Sequence, residues 1–333
     1  MKSLQNIGII GAGMIGTAIG NALAAKDGLQ VRLYTIEDEV AESINSIHIN
    51  QKYFPNVNLN ESLEASTDIN ILEEAEIVFL AIPSVLIVDF LKQHGKIFNE
   101  NTILINLAKG FGQDRKTITE CLEEFQAGKI CTMKGPTFAR EIVSDFPTAF
   151  TFASSDETLF PLLAELFEGT NIYLDFTKDV KGTEVLSILK NIYAIVIGIV
   201  DAHFDSPNLR FLILTKAFNE TKKIMLEMGG SEQSMFHYCG FGDFSLTALN
   251  DLSRNRTLGL LIGKGFFIEN ISDKVVLEGK IAVNVIIQHL KKNSTVEKKY
   301  PIIFELHRVF NEEYNLSVFV NHLLNKIKVN YEQ

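Results

Sequence analysis

In the first half of the chain, short apolar runs are separated by stretches with helical spacing. Runs at 6–10, 31–34, 77–82, 102–107, 129–133, 148–152 and 171–174 are rich in Val, Ile and Phe and lack a strict in–out alternation. That is the pattern of strands covered on both faces of a mostly parallel sheet. Stretches 17–26, 85–95 and 117–124 lie between them and supply the crossover helices that parallel strands require. Past about Asp179 the period lengthens. Residues 181–202, 208–228, 247–262 and 274–291 read as helices, with no clear strand run. The pattern predicts an α/β fold, a doubly wound sheet followed by an all-helical C-terminal domain, with domains at 1–178 and 179–333.

A length of 333 residues fits two cores, since single cores stop growing near ~250–300 residues. The formal charge of −10 and the lack of clustered Lys and Arg argue against a nucleic-acid partner. Cys121, Cys131 and Cys239 form no Cys-x-x-Cys pair, which fits reduced, buried thiols rather than zinc or disulfide chemistry. The first residues lack the long apolar region of a secretion signal, so the expected location is the cytoplasm. The longest apolar run, 192–200, is bracketed by Lys190 and Asp201 and falls short of a membrane span. The runs 211–214 and 302–306 suit either a homodimer contact or the core.

Gly11-Ala12-Gly13-Met14-Ile15-Gly16 follows the strand run 7–10 and precedes the helical stretch from Thr17. A lone G-x-G-x-x-G is weak, but strand-turn-helix context makes it a dinucleotide-binding turn of Rossmann type. Gly11 allows the tight turn, Gly13 lets backbone approach a pyrophosphate, and Gly16 allows close helix packing. The helix start, with Met14 and Ile15, offers unpaired N–H groups to the phosphates. Glu37, after the second strand run, is either the acid that accepts from an adenosine ribose hydroxyl or a solvated helix-start residue. Pro83, closing the run 77–82, is placed beside the nicotinamide ribose or simply terminates the strand. NAD and NADP both remain open.

Lys109, at the mouth of the run 102–107 and ahead of a glycine, faces the same crevice; Lys134 has a weaker claim. Lys190 sits in a stretch that is apolar on most faces. It is either a partly buried amine able to exchange a proton with a substrate hydroxyl, or a lysine snorkelling along a wet stripe with Glu184 and Ser187. Asp243, Thr247 and the run Ser253-Arg254-Asn255-Arg256 add an acid, a hydroxyl and two guanidinium groups. Arginine forks suit phosphate oxygens. Arg254 and Arg256 stand two apart on a helix and face differently, so one turns inward and the other lies at the surface.

Taken in order, these motifs resemble the NAD(P)-dependent glycerol-3-phosphate dehydrogenase family. The likeness runs from Ile7 to about Gly279: GAGMIGTA, His48 and Asn50, AIPS, AKG, KGPTFAREI, GTEVLSILKNIYAI, GFGD, SRNR and LEG. The resemblance implies reversible reduction of dihydroxyacetone phosphate to sn-glycerol 3-phosphate, by a Rossmann domain and a helical domain with the active site between them and no metal. It implies Lys190 as the catalytic lysine, Asp243 orienting it, and Lys109 touching both substrate and cofactor. It further implies substrate contacts at Gly135, Thr137, Asn191, Thr247, Arg254 and Asn255, and cofactor contacts at Ala139, Arg254 and Glu278. The chain departs from the family in lacking an aromatic residue at Met14-Ile15 and an arginine near Ile36. It also departs in the segment 203–210 and in Ala248, where a cysteine is common. A related β-hydroxyacid or ketopantoate-type reductase, or a non-catalytic cofactor-binding protein, is the competing reading.

Overall fold

The computed structural model describes residues 4–125, 128–266, 273–290 and 296–327. The chain divides into two units, Met1–Glu184 and Val185–Gln333.

The first unit is built on eight strands: β1 (Asn6–Ile10), β2 (Gln30–Tyr34), β3 (Leu63–Ser66), β4 (Ile77–Leu80), β5 (Ile103–Asn106), β6 (Lys129–Lys134), β7 (Thr148–Ala153) and β8 (Ile172–Thr177). They form one sheet in the order β3-β2-β1-β4-β5-β6-β7-β8. Every pairing is parallel except β6 with β7. β4 and β5 are buried along their whole length, which is why their sequences read as continuous apolar runs. The expectation missed β3. Its four residues, Leu-Glu-Ala-Ser, alternate buried and outward positions at the sheet edge, so they form no apolar run. Helices α1 (Met14–Ala24), α2 (Asp38–Ile47), α3 (Ser84–His94), α4 (Ile118–Leu122), α5 (Ala139–Val143) and α6 (Leu159–Phe167) connect the strands. α4 begins with a capping box, in which Thr117 accepts from Glu120 N and Glu120 accepts from Thr117 N. β1 lies between β2 and β4, where the order reverses; in open α/β sheets the ligand crevice opens at that switch point, beyond the strands' carboxyl ends.

Helix α7 (Val180–His203) crosses from the first unit into the second, which continues with α8 (Pro207–Glu227), α9 (Asp243–Leu249), α10 (Arg254–Gly263), α11 (Asp273–Leu290), α12 (Val296–Lys299), α13 (Pro301–Asn311) and α14 (Leu316–Ile327). Among the described residues this unit has no strand. Residue 291 of the expected helix lies outside the described residues. By length and composition α7 could cross a membrane, yet 83% of its apolar window is buried inside the protein, as in the core helix of a folded domain. α10 crosses α7 glycine to glycine: a Cβ on Gly198 would stand 2.2 Å from Arg256 O, and one on Gly259 would stand 2.1 Å from Ile195 O.

Glu220 on α8 is 5% exposed. It accepts from Tyr193 Oη at 2.8 Å and from the first-turn N–H groups of α13, Ile302 at 3.1 Å and Ile303 at 2.8 Å. Those N–H groups lack partners within their own helix, so the carboxyl caps α13 from another element. Burial pushes this carboxyl up to about 7, against the pull of the two N–H donors, of Tyr193 and of Lys223. A folded-state value above the unfolded one means that the folded protein binds the proton more tightly. The contribution to stability is therefore complete below about 4.5 and is lost as pH rises to about 7. The unfolding free energy of Glu220→Gln minus that of wild type, from urea titrations at a series of pH values, should rise with pH across this window, by a total on the order of 3 kcal/mol. A difference that stays constant with pH would place the titration elsewhere.

Candidate active site

The carboxyl end of β1 turns through Gly11, whose φ of +107° is one that L side chains rarely adopt. A Cβ on Gly16 would lie 2.0 Å from Gly11 O, so packing of the turn against α1 dictates that glycine. Gly13 differs, because a Cβ there would meet nothing within 4 Å. The protein itself does not require a glycine at that point, whereas a pyrophosphate approaching the backbone does. Gly13 is also the N-cap of α1 and provides no side-chain cap, which leaves the first-turn N–H groups for an anion. The turn is braced by Asn50, fully buried, whose Nδ2 donates to Ala12 O and to Thr17 Oγ1, both at 2.9 Å. Residue types alone do not disclose that brace.

Met14 and Ile36, after β1 and β2, and Val85 and Leu86, after β4, are exposed apolar residues. Pro83, also exposed, is the N-cap of α3. Together they line the carboxyl ends of the three strands at the switch point, a surface suited to the flat faces of a dinucleotide. Glu37, the N-cap of α2, is engaged by Lys52 and by Tyr53 Oη at 3.0 Å. The Lys52 ammonium bonded to Glu37 holds its carboxyl below the usual carboxylate range. Glu37 therefore stands at the start of α2 in a partly exposed ion pair with Lys52.

After β5 the chain runs through Ala108, Lys109 and Gly110, all half-buried. Gly110 passes so close over α3 that a Cβ would meet Ser84 Oγ at 2.3 Å. Lys109 Nζ donates to Gly135 O at 3.2 Å, and Thr137 Oγ1 donates to the same oxygen at 3.3 Å. The Lys109 loop and the turn after β6 are therefore brought together. Gly135 is itself buried, since a Cβ would lie 2.3 Å from Ala149 O. Lys134 is fully buried and donates to Asn106 O at 2.7 Å. Ala139 opens α5 and is half-buried.

In the second unit Lys190 is 5% exposed and Asp243 is fully buried. Lys190 Nζ lies 2.5 Å from Asp243 Oδ1 and 2.8 Å from Thr247 Oγ1. Asp243 and Thr247 stand four apart on α9, one helical turn, so both face α7. The alternative of a snorkelling lysine on a wet stripe does not hold: Glu184 and Ser187 are buried too, at 2% and 1% exposure. Asn191, next on α7, is half-buried. The two arginines part as expected. Arg256 is buried, pairs with Asp201 Oδ2 at 2.8 Å and bonds Asp251, whereas Arg254 is exposed at the first position of α10 beside half-buried Asn255. Glu278 is exposed on α11.

Residues 6–160 match the model of the NAD-dependent glycerol-3-phosphate dehydrogenase N-terminus, and residues 179–321 match that of its C-terminus. The chain belongs to the NAD-dependent glycerol-3-phosphate dehydrogenase family. It is similar to a glycerol-3-phosphate dehydrogenase [NAD(P)+] of Leptospira biflexa, 34% identical over 80% of this chain and 82% of that one. The corresponding protein of Methanothermobacter thermautotrophicus is 32% identical over 96% and 97%. The crystal structure of glycerol-3-phosphate dehydrogenase from Coxiella burnetii superposes with a TM-score of 0.85 at 26% identity, covering 96% of this chain and 99% of that one. These matches favour the dehydrogenase over a reductase of another small ketone.

Proposed function

We propose that this protein reversibly reduces dihydroxyacetone phosphate to sn-glycerol 3-phosphate with NAD(P)H. The observation that carries the reading is the buried Lys190, fixed by Asp243 and Thr247, in a chain that matches both parts of the family model. When bound, the reduced nicotinamide supplies the hydride to the central carbon. Lys190 Nζ gives a proton to the oxygen on that carbon in the forward direction and takes it back in reverse. Asp243 and Thr247 fix the direction of the amine, and Lys109 stabilises the developing alkoxide by its charge. Gly11, Gly13, Met14, Ile15, Gly16, Glu37, Pro83, Ala139 and Glu278 are proposed cofactor contacts, with Gly135, Thr137, Asn191, Thr247 and Asn255 on the substrate. Residues 1–178 would hold the dinucleotide and 179–333 would carry the proton-transferring lysine. Glu37 suits a free ribose 2′-hydroxyl, and Lys52 beside it suits a 2′-phosphate. A cytoplasmic homodimer completes the reading.

The test is oxidation of NADH and of NADPH with dihydroxyacetone phosphate, dihydroxyacetone and ketopantoate in parallel. Turnover confined to the phosphorylated ketone supports the reading. Turnover with ketopantoate alone, or with no ketone despite cofactor binding, overturns it. Arg254→Ala should raise KM for dihydroxyacetone phosphate about 10- to 100-fold, the worth of one charge-assisted contact, while Gly259→Ala disturbs the α7–α10 crossing instead. An unchanged KM in Arg254→Ala moves the phosphate contact to another residue.

A further inference from the structure

Asn106 closes β5 and is fully buried. Its Oδ1 accepts from Ala108 N at 2.8 Å, and its Nδ2 donates to Glu184 Oε1. The other carboxylate oxygen, Oε2, accepts from Thr119 N at 3.2 Å and from Thr119 Oγ1 at 2.7 Å. The main-chain carbonyl of Asn106 accepts from Thr132 Oγ1 at 3.1 Å and Lys134 Nζ at 2.7 Å. We propose that Asn106 is a positioning residue for Lys109, and that Glu184 sets the orientation in which its carboxamide works; this rests on the role given to Lys109 above.

The segment Ala108-Lys109 belongs to no helix or strand, so its direction depends on side-chain bonds. An asparagine bonding the amide two residues ahead makes a tight turn of this kind. A carboxamide, however, has an oxygen face and an NH2 face, and the wrong face would set donor against donor at Ala108 N. An ionised carboxylate only accepts. Glu184 therefore takes the NH2 face and leaves the oxygen for Ala108. Thr119 donates twice to the far oxygen of Glu184, which holds that carboxylate in place. The order of donation is Ala108 to Asn106, then Asn106 to Glu184, and it begins one residue before Lys109, the side chain whose Nζ reaches Gly135 O at 3.2 Å. Glu184 lies 78 positions from Asn106, a separation that hides the link from local motif reading.

The reciprocal exchange tests this. Asn106→Asp puts two carboxylates in contact and removes the donor, and kcat/KM should fall about 10- to 100-fold, the scale of a loss from a catalytic group displaced by ~1 Å. Adding Glu184→Gln reverses donor and acceptor between the two side chains while preserving net charge, the bond from Ala108 and the bonds from Thr119. The double variant should return to within about threefold of wild type. In a Lys109→Ala background Asn106→Asp should cost less than about threefold, because the residue through which it acts is gone. The proposal is overturned if the double variant regains the wild-type melting temperature without regaining kcat/KM, or if Asn106→Asp costs its full factor without Lys109. Should wild type fail to reduce dihydroxyacetone phosphate, the proposed function falls, and NADH titration reads the positioning by itself. Asn106→Asp must then weaken NADH binding by the same factor as Lys109→Ala, with recovery in the double variant; unaltered NADH binding overturns it.

Discussion

Lys190→Met is expected to lower kcat by about 10²- to 10⁴-fold, the usual share of a general acid–base group, with NADH affinity retained. Methionine keeps the length and apolar stem of the side chain but cannot exchange a proton. The cofactor residues proposed around the glycine turn lie in the first unit, far in sequence from α7, so dinucleotide binding should persist. Single-turnover kinetics and an NADH fluorescence titration on the same preparation check both halves. A kcat within threefold of wild type would return Lys190 to a structural role. A loss of NADH binding equal to the loss of turnover would assign it to the cofactor rather than to the chemistry.

The second large effect is expected at Asp243. Removing one member of a buried ion pair strands its partner's charge, at a cost of about 3–5 kcal/mol. Lys190 at 5% exposure and Asp243 at 0% meet that condition. Asp243→Ala should therefore both reduce turnover, by releasing the amine from its direction, and lower the urea midpoint of unfolding. Lys190→Met combined with Asp243→Asn removes both charges and should recover most of the stability with none of the activity. If Asp243→Ala alone unfolds at the wild-type urea concentration, the pair does not hold the second unit together. If the double variant turns over substrate, the proton comes from another group.

The way the fold was legible follows from the range over which each force acts. Strands buried on both faces must be apolar throughout, so β4 and β5 announce themselves, as does α7 by its length and composition. β3 escapes because an edge strand of four residues needs only alternate apolar positions. The glycine turn is legible because Gly11 and Gly16 answer to local geometry, a positive φ and a 2.0 Å approach.

By itself the sequence determined the α/β order, the dinucleotide turn and the presence of a lysine in apolar surroundings, since each depends on neighbours within a few residues. Only the tertiary structure decided that Lys190 is buried against Asp243 rather than snorkelling, that Arg256 turns inward and leaves Arg254 exposed, and that Glu37 shares its carboxylate with Lys52 and Tyr53. It also decided that Asn50 braces the glycine turn and that Asn106 is fastened to Glu184. Four of these, all but the partly exposed Glu37 cluster, share one physical reason. A polar side chain can be buried only beside a partner that satisfies it, and most of these partners come from elements distant along the chain, which meet only when the chain has folded.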